Sequence, residues 1–329
     1  MGSMPHGDAR PAWPAADVVA RIPAALAGEE DPAAEDLLGY AHPGDAVLHV
    51  GAGSGWACYA LAQIVGPGGK VFGVEADRGR VARARQVQEA FADAVGFDNL
   101  RFCRGHATDL KTDLDKLDRL FPATGLDSLD RLRAFEERRR SVFAANPLIP
   151  DCSVDIALVD LPAVLERAAD AGRALAEMAR VLKPGGRCAL LCAVSDGTLS
   201  DAAQATLPAP AIGEQTLYAL LDEAGFAGVR IEYRSGHPIA TAAGAAIHAV
   251  LLTAARHDDR GAGAAPVEAL YRGPWLEVVH ESGLRLRRGR PAVLPAGIAA
   301  GPCARELVPL APATAAPGES CCGPASACC

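Results

Sequence analysis

The run Ala46-Val-Leu-His-Val-Gly-Ala-Gly-Ser-Gly55 constrains this chain more tightly than any other feature. Its apolar start reads as a strand buried on both faces, its alternating glycines as a sharp turn, and Trp56 to Val65 as the helix that follows. A second apolar strand, Val71 to Val74, ends in Glu75. A strand, a glycine turn, a helix and a strand tipped by an acid together form a site for a nucleotide-type cofactor. Gly51, Gly53 and Gly55 let backbone approach a ligand without a Cβ in the way, and the first amides of the helix face that ligand. Glu75 suits two ribose hydroxyls as a bidentate acceptor. The expected cofactor-binding residues here are Gly51, Ala52, Gly53, Ser54, Gly55, Glu75 and Ala76. Trp56 stands where a dinucleotide motif has its third glycine, and an indole there argues against close packing over a pyrophosphate.

A second marker supports the first. Arg180-Val-Leu-Lys-Pro-Gly-Gly186 ends a helix and opens an apolar strand, Arg187 to Val194. Further strands are predicted at Leu100 to Cys103, Val154 to Val159, Val229 to Tyr233 and Ala246 to Thr253, and helices at Arg80 to Val95, Ala163 to Val181 and Glu214 to Ala224. Such alternation implies an α/β fold, a doubly wound, mostly parallel seven-stranded sheet. Residues 1–15 are Pro-rich and predicted to be disordered, and residues 16–256 form the cofactor-binding domain. A charged insertion at 110–145 reads as two surface helices, because Glu136 and Glu137 offset much of the charge of Arg131 to Arg140. A linker follows, then a small strand-rich domain at 267–310 and a flexible Cys-rich tail at 311–329.

With a formal charge of −8 and no basic stripe, the chain is not expected to bind nucleic acid. No apolar run is long enough to span a bilayer and the N-terminus has no apolar signal core, so a soluble, cytoplasmic protein is expected. The oligomeric state is not legible. Cys103, Cys188 and Cys192 fall inside predicted strands and read as small buried hydrophobes. Cys321, Cys322, Cys328 and Cys329 differ: adjacent pairs on a flexible segment can converge on one soft, thiophilic ion, the alternative being a solvated tail with incidental thiols.

The glycine loop, the acid after the second strand and the Leu-Lys-Pro-Gly-Gly turn resemble those of the Rossmann-like S-adenosylmethionine-dependent methyltransferases. Within that class, Cys58-Tyr-Ala-Leu-Ala-Gln-Ile-Val-Gly66 after the loop, Asn146 to Asp155, Tyr271-Arg-Gly-Pro-Trp275 and the Cys-Cys ending are similar to arsenite methyltransferases over residues 45–329. The resemblance implies S-adenosylmethionine as cofactor, with His106 and Ala107 bordering its adenine, and a small-molecule or metalloid substrate.

The same family binds trivalent arsenic through core cysteines that this chain lacks. The corresponding segments read Ile22-Pro-Ala-Ala-Leu-Ala-Gly28, Val159-Asp-Leu-Pro-Ala163 and Leu207-Pro-Ala-Pro-Ala-Ile-Gly213. At the carboxyl ends of the strands this leaves His106, Asp160, Ser195 and Asp196. Asp160 is the candidate catalytic residue, as a base or a holder of a donor substrate, against the simpler readings of cofactor contact or helix cap. His106 is suited to lie beside the adenine or to act as a general base, and Ser195 and Asp196 read as a turn. The expected function is methyl transfer to trivalent arsenic, with the tail thiols holding or delivering it. The alternatives are a methyltransferase for another small nucleophile and a silent cofactor-binding or arsenic-sequestering protein.

Overall fold

A computed structural model describes residues 16–29, 32–123, 125–257, 266–273, 275–280, 283–295, 298 and 307–310. The chain divides into two compact units, Met1–His257 and Asp258–Cys329.

In the first unit, α1 (Ala16–Val19) and α2 (Pro32–Leu38) lead into β1 (Ala46–Val50), α3 (Trp56–Val65) and β2 (Lys70–Glu75). The chain continues through α4 (Arg78–Gln86), α5 (Gln88–Val95), β3 (Leu100–Arg104), α6 (Leu114–Leu120), α7 (Leu129–Ala145) and β4 (Val154–Asp160). It then forms α8 (Leu161–Val164), α9 (Ala171–Val181), β5 (Leu182–Ser195), α10 (Asp201–Gln204), β6 (Ile212–Gly213), α11 (Glu214–Glu223), β7 (Phe226–Arg234), β8 (Ala240–Ala242) and β9 (Ala245–Arg256). The seven long strands order as β3-β2-β1-β4-β5-β9-β7, with β6 added beside β5 and β8 beside β9 to make nine. From β3 through β5 the pairing is parallel, and β9 enters antiparallel between β5 and β7. The expected seven strands are all present; β6 and β8 are too short to leave a periodic signature.

The central strands are apolar throughout because both faces are covered. On one face Leu48, Val74, Val159, Leu190 and Val250 pack with Leu175 and Met178 of α9 and Leu217 and Leu221 of α11. On the other, Val47, Val71, Ile156 and Leu191 pack with Leu37 of α2, nearly all of α3, and Ala84 and Phe91 of α4 and α5. Each fully buried aliphatic side chain contributes about 1.5–3 kcal/mol, so these two layers carry most of the stability of the unit. Asp77, Asp113 and Ser128 cap α4, α6 and α7 by accepting from the amides of Arg80, Lys116 and Arg131. Asn99 Nδ2 donates to the carbonyls of Ala62 (3.0 Å) and Gly66 (2.8 Å), closing the far end of α3.

Three boundaries depart from the sequence expectation. The helix expected over Arg80 to Val95 is two, α4 and α5, broken at Val87, whose φ of −102° and ψ of 0° leave the helical region. The helix expected over Ala163 to Val181 is α8, a short 3₁₀ turn and α9. The Lys183-Pro-Gly-Gly186 turn belongs to β5 itself, which starts at Leu182 and meets β4 with an irregular register between Val154 and Ile156. A turn embedded in a strand reads locally as punctuation, and only the neighbouring strand reveals the pairing.

In the second unit, β10 (Val267–Tyr271) pairs antiparallel with β13 (Pro291–Leu294) and β14 (Leu307–Pro309), and β11 (Glu277–Val279) pairs with β12 (Arg285–Arg287). Ala269, Tyr271, Leu286, Leu294 and Leu307 form its small core. The appendage is strand-rich, as its short apolar pieces predict.

Candidate functional site

The glycine loop is stitched to the tip of β2. The amides of Gly51 and Ala52 both donate to the Val74 carbonyl, at 2.8 and 3.0 Å. The next amide, of Gly53, donates to Glu75 Oε2 at 2.9 Å, and the Asp77 amide donates to Oε1 at 2.9 Å. Each carboxylate oxygen thus carries one N–H and keeps a second lone pair for another donor. The glycines have separate reasons. Gly55 has φ +94° as the N-cap of α3, and a Cβ there would lie 2.8 Å from the Phe102 ring. At Gly51, with φ +83°, a Cβ would meet Val164 Cγ1 at 2.5 Å, so α8 packs directly on the loop. Gly53, with φ +55°, has nothing within 4 Å of where its Cβ would project. That open space, the acceptor capacity of half-buried Glu75 and the absence of any side-chain cap on α3 fit a ligand carrying vicinal hydroxyls laid along the loop.

The remaining expected residues gather along the same edge. The Ala76 carbonyl accepts from Arg104 Nε at 3.3 Å. His106 is exposed and pairs with Asp109 in a short antiparallel bridge, while Ala107 is buried. Asp160 ends β4 and occupies the N-cap position of α8 without a side-chain capping bond, so the helix-cap reading is not what the structure displays. Ser195 and Asp196 form the turn expected of them: Ser195 Oγ donates to the Gly197 carbonyl at 2.7 Å, and Asp196 Oδ1 accepts from the Ala246 amide at 2.9 Å.

The core thiols point away from chemistry. Cys58 Sγ lies 3.6 Å from His49 Nδ1 beneath the loop, with both residues buried. Burial pushes the thiols of Cys58, Cys103, Cys188 and Cys192 above their ordinary range, so they stay protonated at neutral pH. Among the described residues no group of three His, Cys, Asp or Glu side chains converges as a metal site. The expected metal ligands Cys321, Cys322, Cys328 and Cys329 lie outside the described residues. Among these described residues, moreover, no helix is long and apolar enough to cross a membrane.

One cluster was not anticipated from the sequence. Arg78, Arg85 and Arg104 converge on Asp115 and Asp118 of α6, beside the tip of β2. The separations along the chain range from 11 residues (Arg104 to Asp115) to 40 residues (Arg78 to Asp118), which no local spacing rule detects. Leu114 and Leu117 of α6 line a cavity of about 270 Å³ shared with His106, Phe135 and Arg139.

Residues 41–225 match the family model described as a methyltransferase domain. A stretch of 195 residues is 29% identical to an arsenite methyltransferase of Halobacterium salinarum, covering 57% of this chain and 39% of that protein. Another, of 64 residues, is 42% identical to an arsenite methyltransferase of Aquipseudomonas alcaligenes, covering 20% of this chain and 18% of that protein. The chain therefore matches well under half the length of either curated relative. The crystal structure of an arsenic(III) S-adenosylmethionine methyltransferase from Chlamydomonas reinhardtii aligns with a TM-score of 0.51 at 19% identity, covering 82% of this chain and 86% of that one, a likeness of fold. With more than half of the chain matched, from the approach to β1 to the start of β7, this protein belongs to the methyltransferase-domain family, the Rossmann-like enzymes whose cofactor is S-adenosylmethionine.

Proposed function

We propose that this chain is an arsenite methyltransferase-like enzyme that binds S-adenosylmethionine through Gly51 to Gly55, Glu75, Ala76, His106 and Ala107. The observation that carries this reading is the bond from the Gly53 amide to Glu75, which holds the loop and the acid in one ligand-facing unit. The cofactor supplies an electrophilic methyl group on a sulfonium. The residues of the chain bind and orient: Glu75 takes ribose hydroxyls, the first amides of α3 face the amino-acid end, and Asp160 stands at the edge where an acceptor must enter.

The acceptor in this reading is trivalent arsenic, captured by the thiols of Cys321, Cys322, Cys328 and Cys329 and brought to the cofactor. Thiolates are soft donors and leave the arsenic lone pair available for the methyl group. A second reading, another small nucleophile positioned by Asp160, draws support from the core thiols, which are buried and face inward. Cofactor-dependent methylation by the full chain, assayed with arsenite and with a set of small amines and thiols, separates the two. Methylated arsenic that is lost on deleting residues 320–329, with cofactor affinity unchanged, supports the first. A methylated amine or thiol supports the second, and no product with any acceptor refutes the enzyme assignment.

A further inference from the structure

Arg104 closes β3 directly beside the acid that the cofactor reading depends on. In the parallel pairing of β2 with β3 its register partner is Glu75. Only 16% of its side chain is exposed. From there the guanidinium reaches two ways: Nε donates to the Ala76 carbonyl at 3.3 Å, and Nη1 meets Asp118 Oδ2 at 2.5 Å, with Asp115 Oδ1 at 3.6 Å.

The two aspartates sit one turn apart on α6, so both carboxylates present to the same side. Asp118 also pairs with Arg78, in the first turn of α4 and three residues after Glu75. Asp115 accepts from Arg85 Nη1 at 2.9 Å, while Arg85 Nε and Nη2 both donate to the Phe102 carbonyl, at 3.2 and 2.9 Å. Phe102 in turn packs its ring beneath Gly55. Two of the three arginines thus bridge α6 to main-chain carbonyls at or near the tips of β2 and β3. The third holds the start of α4.

We infer that Arg104 is a positioning residue for the cofactor: through Ala76, Asp115 and Asp118 it latches α6 across the tips of β2 and β3 and fixes the wall against which the adenosine moiety lies. The inference rests on the S-adenosylmethionine reading. Isolated surface ion pairs contribute little to stability, so the main consequence of this network is local placement. Its charges face solvent on one side and are screened by salt. Removing Arg104 leaves two arginines for two aspartates but frees the Ala76 carbonyl; removing Asp118 leaves three arginines facing one aspartate.

The test is calorimetric titration of S-adenosylhomocysteine into the full chain and into Arg104→Gln, Arg104→Lys and Asp118→Asn, at about 0.05 and 0.5 M salt. Wild type is expected to bind, with affinity falling as salt rises. Arg104→Gln is expected to bind about tenfold more weakly at low salt, with a flatter salt dependence, and Arg104→Lys to recover part of the loss because it keeps the charge without the fork. In turnover the KM for the cofactor rises while kcat at saturation holds. A merely structural role would instead lower the melting temperature and leave the salt slope of the folded fraction unchanged. If Arg104→Gln does not fold, Asp118→Asn carries the same two readouts. Wild-type affinity and salt slope in a folded variant overturn the inference. Absence of binding to wild type overturns the cofactor reading beneath it.

Discussion

At the scale of single residues, the three loop glycines separate folding from ligand binding. Gly55→Ala places a methyl group 2.8 Å from the Phe102 ring at φ +94°, so strain and overlap combine, and about 3 kcal/mol of stability should be lost in denaturant titration. Gly53→Ala meets open space at φ +55° and should cost only about 1 kcal/mol, yet its methyl projects into the space proposed for the ligand and should weaken S-adenosylhomocysteine binding. Equal stability losses in the two variants would contradict the loop geometry. The thiols give a second contrast. Cys152 is exposed, at φ +50°, with Arg256 Nη1 3.2 Å from its sulfur, whereas Cys58, Cys103, Cys188 and Cys192 are buried. Maleimide followed by peptide mapping should modify Cys152 in the native protein and these four only after unfolding. Labelling of Cys58 at the rate of Cys152 would mean that α3 does not pack as described. The loop and Glu75 were legible in the sequence because glycine and acid act there through backbone and charge at fixed spacing. The contacts of Arg104 and Asp118 were not, because residues far apart in the chain meet only in the fold.

At the scale of elements, the lower edge of the sheet is tied by Asp155 at the start of β4. Its Oδ2 accepts from the Ala46 amide that opens β1, at 2.9 Å, and Lys183 Nζ in β5 donates to both oxygens, at 2.8 and 2.9 Å. Burial raises the Asp155 pKa, but the hydrogen bonds from Lys183 and Ala46 outweigh it and hold the carboxyl below the usual carboxylate range. A group whose folded value is depressed stabilises above its unfolded value, near 4, and loses that contribution as pH falls through the folded value. Asp155→Asn should therefore cost roughly 1 kcal/mol at pH 7, and the gap from wild type should close below about pH 4. A gap that stays constant to acid pH would contradict the assignment. Here the sequence was partly legible. Helix α3 has the expected bounds because glycines flank its apolar run, whereas the start of β5 was hidden by Pro184 and its glycines, which punctuate locally while pairing with β4 continues.

At the scale of the whole molecule, two units share one chain: a methyltransferase domain whose sheet gathers loop, acid and Asp160 along one edge, and a small strand-rich unit. The fold class was readable because alternating buried strands and amphipathic helices admit few topologies. The acceptor was not, since the features that set it in the resembling family are the ones this chain replaces. If the loop and Glu75 form one cofactor site, as proposed, calorimetry of S-adenosylhomocysteine binding to the full chain and to Glu75→Ala will show it. Losing a charge-assisted acceptor should weaken binding about tenfold to a hundredfold while the Glu75→Ala protein remains folded. Equal affinity in the two proteins, or no binding to the intact chain, would contradict it.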